Sequence, residues 1–240
     1  MNLDISADTA LIRASLQTRA GLLTLRDAAA QDADAFVEYW TGSPASYLEI
    51  LGVDTARLGD AQQVRERFLR NMPSSEPLIQ STLIYSLYLN DTLIGCSNIN
   101  RYDAQENYVH LHIYRKALRQ AVGQGPKPQA TGGGIAACLI GVGIAYCLEN
   151  FDLERLVLQT RTRNKLINRA LDLYLPASNT CYFEKPDGLS APGNFQVRFA
   201  YKGQHHFYQE RAQALSRQEN TAETNNDLLE NTALGSLQNF

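Results

Sequence analysis

Cysteine, methionine and tryptophan are scarce in this chain, and no charge of one sign dominates it. The four cysteines, Cys96, Cys138, Cys147 and Cys181, make no Cys-x-x-Cys pair and keep no Cys/His spacing. That argues against a metal or redox motif and predicts small apolar residues in a core. Lys and Arg number 22 against 25 Asp and Glu, giving a net charge of −3 and a pI near 5.8. Such a balance offers no general attraction for nucleic acid or an anionic membrane, and it also argues against a highly acidic substrate. The longest apolar stretch, 135–148, falls far short of the ~20 residues that span a bilayer, and no charged N-terminal segment leads into an apolar one. No Gly-x-Ser-x-Gly elbow and no context that activates a thiol appear, which excludes covalent hydrolase chemistry. What remains is a cytoplasmic, soluble protein, whose 240 residues at 44% hydrophobic content suffice for one proper core.

The periodicities alternate between helix and strand. Residues 1–20 read as a short polar helix or arm, and Gly21 separates them from a strand at 22–26. Ala33, Phe36, Val37 and Trp40 have helical spacing over 32–40, ended by Thr41-Gly42-Ser43-Pro44; further helices are predicted over 45–51 and 60–71. Strands at 83–89 and 92–100 flank Asn90-Asp91, a pair suited to a tight hairpin. Tyr108 to Tyr114 alternates cleanly: Val109, Leu111 and Ile113 take one face, and Tyr108, His110, His112 and Tyr114 the other. A loop at 115–128 carries Arg115, Lys116, Arg119 and Lys127. A helix is predicted over 134–150, nearly apolar all round, in which Gly141 and Gly143 imply close packing against a strand. A strand at 155–160, a helix at 165–174 stopped by Pro176, and strands at 179–184 and 195–201 follow. From Gln204 the composition turns polar, which predicts a frayed or disordered tail over 204–240.

The run Gln129-Ala130-Thr131-Gly132-Gly133-Gly134 feeds the apolar helix directly. Glycines at a helix start let a ligand approach the backbone, and the unpaired N–H groups there, with the helix dipole, favour an anion. Gly134 is followed by Ile135 and Ala136, so the Lys and hydroxyl of a P-loop are missing. Counting from Gly132, the dinucleotide fingerprint fits with Ala137 in sixth place, yet Asp152 and Glu154 precede the next strand when the acidic residue should end it.

A third pattern, Gln or Arg, two residues, Gly, one residue, then Gly or Ala, matches Gln129, Gly132 and Gly134 in full. On it the chain resembles the GNAT acyl-CoA-dependent N-acyltransferases, from about residue 22 to 202. Leu23-Thr24-Leu25-Arg26-Asp27-Ala28 with Asp32 is similar to that family's first strand and turn, and Asn164 stands where the family commonly starts its last helix. The resemblance implies an α/β (α+β) fold with a mixed, mostly antiparallel twisted sheet, flanked by helices and splayed at the acyl-CoA site.

It also implies a reaction: direct transfer of an acyl group, acetyl most commonly, from acetyl-CoA or another acyl-CoA to the amine of a small molecule or protein, with no metal. Backbone groups of Gly132, Gly133, Gly134 and Ile135, with Gln129, would hold the pyrophosphate. Leu111, Ile113 and Tyr114 would pair with the pantetheine arm, and Asn164 would either meet that arm or only cap its helix. A histidine titrates near neutral pH, so His110 or His112 is the candidate base, with Glu106 in reserve. Tyr174, or less well Tyr182, would protonate the leaving thiolate. The four basic residues of 115–128 either meet the 3′-phosphate of CoA or are a solvated loop. The helices before residue 83 would choose the acceptor. A homodimer is compatible with all of this. Two rivals stand beside it: a non-catalytic acyl-CoA-binding module of the same fold, and a Rossmann-type nucleotide enzyme. His205-His206 reads as a surface pair, since no acidic cluster completes a metal shell.

Overall fold

The computed structural model describes residues 10–73, 82–101, 106–114, 117–118, 120–121, 132–175, 177, 179–184 and 189–217. One eight-stranded sheet runs through it in the order β1-β2-β3-β4-β5-β6-β8-β7. The strands are β1 (Ile12–Thr18), β2 (Gly21–Asp27), β3 (Thr82–Leu89), β4 (Thr92–Arg101), β5 (Glu106–Ile113), β6 (Arg155–Arg161), β7 (Asn179–Phe183) and β8 (Gly193–Tyr201). All neighbours are antiparallel except β5 and β6, which run parallel.

Each face of the sheet has its own core. On one lie the helices α1 (Ala33–Gly42), α2 (Ala45–Leu51) and α3 (Ala61–Arg70), whose Phe36, Trp40, Leu48, Val64 and Phe68 pack with Ile84 and Cys96 of the sheet. Asp60 starts α3 through a capping box: its carboxylate accepts from the Gln63 N–H at 2.9 Å, and the Gln63 side chain accepts from the Asp60 N–H at 3.0 Å. On the opposite face lie α4 (Gly132–Asn150), α5 (Lys165–Asp172) and α6 (His205–Arg217), with Cys138, Ile144, Leu171, Tyr174, Tyr208 and Ala212 packed on Leu23, Leu25, Leu87 and Leu156. Cys96, Cys138 and Cys147 are buried free thiols and Cys181 is half-buried.

Three expectations need correction. Residues 12–18 are a strand, not a polar helix: Ile12, Ala14 and Leu16 alternate with polar residues, and only Leu16 is fully buried because β1 is an edge strand with one covered face. Residues 205–217 are a docked helix, not a frayed tail, held by Tyr208 and Ala212 against α4; residues from 218 lie outside the described ones. The glycines inside α4 do not pack on a strand. A Cβ at Gly141 would come within 2.6 Å of the Tyr174 hydroxyl and 2.8 Å of the Ala212 Cβ, so its neighbours are the turn after α5 and the helix α6, while one at Gly143 would meet nothing within 4 Å.

The hairpin at Asn90-Asp91 forms as expected, with Asn90 at φ 54°. Close to the turn, β4 carries one extra residue: Leu87 pairs with Gly95 but Tyr88 with Leu93, leaving Ile94 out of the β3 ladder. The Ile94 carbonyl instead accepts the Tyr114 N–H at 2.8 Å.

Candidate active site

The parallel strands β5 and β6 meet only at Glu106–Arg155, Asn107–Leu156 and Tyr108–Val157. Beyond that point each follows its other neighbour. β5 stays in register with β4 up to Ile113–Gly95, and β6 stays in register with β8 up to Arg161–Phe195. A wedge therefore opens in the middle of the sheet. In an antiparallel ladder the N–H and C=O of one residue point to the same neighbour and those of the next residue to the other side. Since the Tyr114 N–H points to β4, the backbone groups of Ile113 and Leu111 point into the wedge, where no described strand pairs with them. Of the expected backbone partners, Leu111 and Ile113 thus line the opening, while Tyr114 gives its N–H to Ile94.

The two faces of β5 differ in the way its alternation predicts. Val109, Leu111 and Ile113 pack on the α4 side, and His110 and His112 face α1. Asn100 contacts the His110 Nδ1 through its side-chain nitrogen at 3.0 Å, and its own oxygen accepts the Thr82 hydroxyl at 2.8 Å. With the amide oriented that way, neutral His110 accepts at Nδ1 and carries its proton on Nε2. The His112 Nδ1 is 3.5 Å from the Tyr39 hydroxyl, which is itself 3.5 Å from that of Tyr47; both contacts are long. The His112 ring lies 4.8 Å from that of Trp40, 5.7 Å from Tyr39 and 6.4 Å from His110, all centroid to centroid. Burial lowers the pKa of His110, and burial with the charge of His110 lowers that of His112 to about 3. Both rings are therefore neutral at physiological pH.

Two more polar atoms in this layer are sealed from water and have no hydrogen-bond partner among the described residues: Trp40 Nε1 and Asn98 Oδ1. Asn98 is paired across the ladder with His110. Sequence periodicity placed Trp40 in a core, but nothing in it marked Tyr39, Tyr47, Asn98 or Asn100 as neighbours of the histidines.

The glycine run is part of the helix. α4 begins at Gly132, so Gly132, Gly133 and Gly134 form its first turn, in which N–H groups have no intrahelical partner. A Cβ at Gly134 would meet nothing within 4 Å, and Ile135 is buried. Gln129 lies outside the described residues, as do Arg115, Lys116, Arg119 and Lys127. Glu106 opens β5 beside Arg155; its side chain is not among those described.

Asn164 caps α5, its side-chain oxygen accepting the Ile167 N–H at 3.5 Å. Tyr174 is buried on the α4 side of the sheet, away from the histidine face. Its hydroxyl donates to the Ala137 carbonyl at 2.7 Å, and burial raises its pKa. Tyr182 is exposed. The rings of His205 and His206 lie side by side, tilted by 43°, with centroids 3.9 Å apart, and among the described residues no three His, Cys, Asp or Glu side chains converge. No described helix is long and apolar enough to cross a membrane.

No protein-family model matches the chain, and no curated protein does. Solved structures do. Mycobacterium smegmatis RimJ in complex with CoA-disulfide is similar with a TM-score of 0.60 at 16% identity, over 85% of this chain and 93% of that one. The ribosomal alpha-N-protein acetyltransferase RimL in complex with coenzyme A gives 0.57 at 13%, over 80% and 98%. A chimera of the spermidine N-acetyltransferase SpeG from Vibrio cholerae gives 0.54 at 13%, over 78% and 97%. At such identities the likeness speaks of architecture, and on that ground the chain has the fold of the GNAT-family acetyltransferases.

Proposed function

We propose that this protein is an acyl-CoA-dependent N-acyltransferase, which moves acetyl from acetyl-CoA to the amine of a small molecule or protein by direct attack. The observation that carries this reading is the wedge between β5 and β6, whose open edge presents the backbone groups of Leu111 and Ile113. An extended amide-bearing chain is the ligand that such an edge suits, because it can pair there like one more strand. The first-turn N–H groups of α4 suit the anionic end of the same ligand. RimJ and RimL with their CoA species, and SpeG with spermidine in its name, support a CoA donor and an amine acceptor.

Within this reading the neighbouring side chains divide the work. His110, holding its proton on Nε2, donates toward the acyl oxygen as charge develops there. His112 is neutral and its tautomer is not fixed by a short hydrogen bond, so it is the better placed of the two to hydrogen-bond the incoming amine. A ring held at a pKa of about 3 is too weak a base to keep the amine's proton, which passes to water. A neutral pair also spares an incoming ammonium group the repulsion of a charged imidazole. Asn164 acts as a helix cap and Tyr174 as a brace between helices; the leaving thiolate then takes its proton from solvent.

A thermal-shift panel of acetyl-CoA, longer acyl-CoAs and NAD tests the donor assignment. Acetyl-CoA should raise the melting temperature and NAD should not; stabilisation by NAD alone would overturn the reading. Thiol release from acetyl-CoA in the presence of an amine library then separates an enzyme from a binding module, which would bind CoA without turnover.

A further inference from the structure

The face that carries His110 and His112 also holds a cation with no carboxylate partner among the described residues. Leu156 and Leu158 of β6 lie in the core beneath α4, so alternation turns Gln159 and Arg161 to the opposite face, across the wedge from the histidines. Arg161 ends the strand and is only 8% exposed. Its guanidinium lies 4.9 Å over the Phe195 ring and donates from Nη2 to the Ala191 carbonyl at 3.3 Å. Its Nε has no partner among the described residues, and no described carboxylate pairs with it. Arg163, whose side chain donates to the Glu49 carbonyl, adds like charge nearby.

Arg198 is the contrast within the same sheet. It is fully buried where Arg161 is not, lies on the α4 side, and is saturated: it donates to Asp172 at 2.6 Å, to Asn168 and to Gln196 at 3.1 Å each, and to the Leu175 carbonyl at 3.1 Å. A buried guanidinium that serves packing is provided for in that way, because a buried charge without a partner is costly.

The surroundings of Arg161 are shaped to receive it. A Cβ at Gly52, at the end of α2, would lie 2.9 Å from its Cγ and Nε, and one at Gly193, at the start of β8, would collide with Nη1. The two loops that supply these glycines are joined by the Val53–Ser190 bridge and by bonds from the Asp54 N–H to the Leu189 carbonyl and from the Ala191 N–H to the Gly52 carbonyl, each 2.6 Å. Arg161 thus sits at the open end of the wedge, beneath loops from both flanks of the histidine face.

We infer that Arg161 is a specificity-determining residue that binds an oxyanion, carboxylate or phosphate, on the acceptor, so that the substrate is an amine bearing an acidic group. The inference rests on the acyltransferase reading and deepens it. The net charge of the chain argued the other way, but a single desolvated guanidinium outweighs distributed surface charge at the range of a contact.

Steady-state acetyl transfer to matched amines tests it: phenylalanine against phenethylamine for the carboxylate, ethanolamine phosphate against ethanolamine for the phosphate. At least one acidic member should exceed its neutral partner in kcat/KM by about 30-fold or more, the scale set by losing one partner of a buried charge pair. Arg161→Gln should erase that preference while leaving the neutral amine within about threefold, and Arg161→Lys, which keeps the charge and the slot, should retain part of it. Equal use of both members, or equal losses for both in the variants, would overturn the inference and leave the acyltransferase reading standing. If no amine turns over, calorimetry of N-acetylphenylalanine against N-acetylphenethylamine with CoA present decides it: selective binding of the acid, lost in Arg161→Gln, supports the site, and no selectivity removes it. Acetyl-CoA thermal shifts on each variant confirm that it is folded.

Discussion

The hydroxyl of Tyr174 reaches the backbone carbonyl of Ala137 inside α4 because Gly141, one turn on, has no side chain in its path. A tyrosine in that position resembles a catalytic acid in sequence, but its proton is already donated. Tyr174→Phe should lower stability by about 0.5–1.5 kcal/mol, the usual worth of one hydrogen bond, and leave kcat for acetyl transfer unchanged. A loss of kcat without a loss of stability would return the tyrosine to the chemistry.

Gly141 and Gly143 should respond oppositely to the same substitution. Gly141→Ala pushes a methyl against Tyr174 and Ala212, and overpacking of about 1–3 kcal/mol outweighs the ~1 kcal/mol gained in helix propensity. Gly143→Ala meets nothing and should stabilise by about 0.5–1 kcal/mol. Urea denaturation of the two variants measures the difference directly.

At Gly134 the fold tolerates a side chain but the proposed ligand does not. Gly134→Val should leave the urea midpoint nearly unchanged or raise it slightly, since valine exceeds glycine in helix propensity by about 0.3 kcal/mol. It should weaken CoA binding about tenfold or more by calorimetry, because the branch covers the first-turn N–H groups. Unaltered affinity would move the pyrophosphate elsewhere.

The pH dependence of folding reports on His112. Its pKa falls from 6.5 to about 3 on folding, so the unfolded chain takes up the proton first. The stabilisation is complete above pH 6.5 and is lost as the pH drops toward 3. Between pH 7 and 4 the parent should lose more stability than His112→Gln, by about 1–3 kcal/mol for a half-buried ring. Catalysis should follow the acceptor instead: kcat/KM rises with deprotonation of the amine and shows no inflection near 6.5.

Arg198 ties β8 to the end of α5, and cutting it is predicted to be severe. Arg198→Ala leaves the Leu175 carbonyl unpaired and opens a large cavity in place of a fully buried side chain, costing about 3–5 kcal/mol, with little from Asp172, which is half exposed. Hydrogen exchange should localise the loss to α5 and β8.

The sheet was legible in the sequence wherever a strand is buried on one face and polar on the other: β5 announces both of its faces, and the Asn90 hairpin its own turn. β1 did alternate, Ile12, Ala14 and Leu16 against Arg13, Ser15 and Gln17, but the polar composition around it masked the pattern, and as an edge strand it buries Leu16 alone. α6 did leave a trace, the buried stripe of Tyr208, Ala212 and Ser216 at intervals of four residues, which polar composition masked. Within the candidate site, the histidines and glycines were readable because each belongs to a local pattern. Arg161 was not, since its surroundings are made by Gly52, Phe195 and Gly193, residues that only the folded chain brings together.

Among the described residues, three residue pairs join the strands β1–β5 to β6–β8 across the wedge. The sheet is in effect two half-sheets sharing a short seam, so its cohesion there depends on whatever completes the ladder. If the donor's arm lies along Leu111 and Ile113 as proposed, each turnover removes and replaces a strand. The protein would then be stiffest while acyl-CoA or spent CoA fills the wedge and loosest only once CoA has left, so release of the second product is the step that reopens the seam.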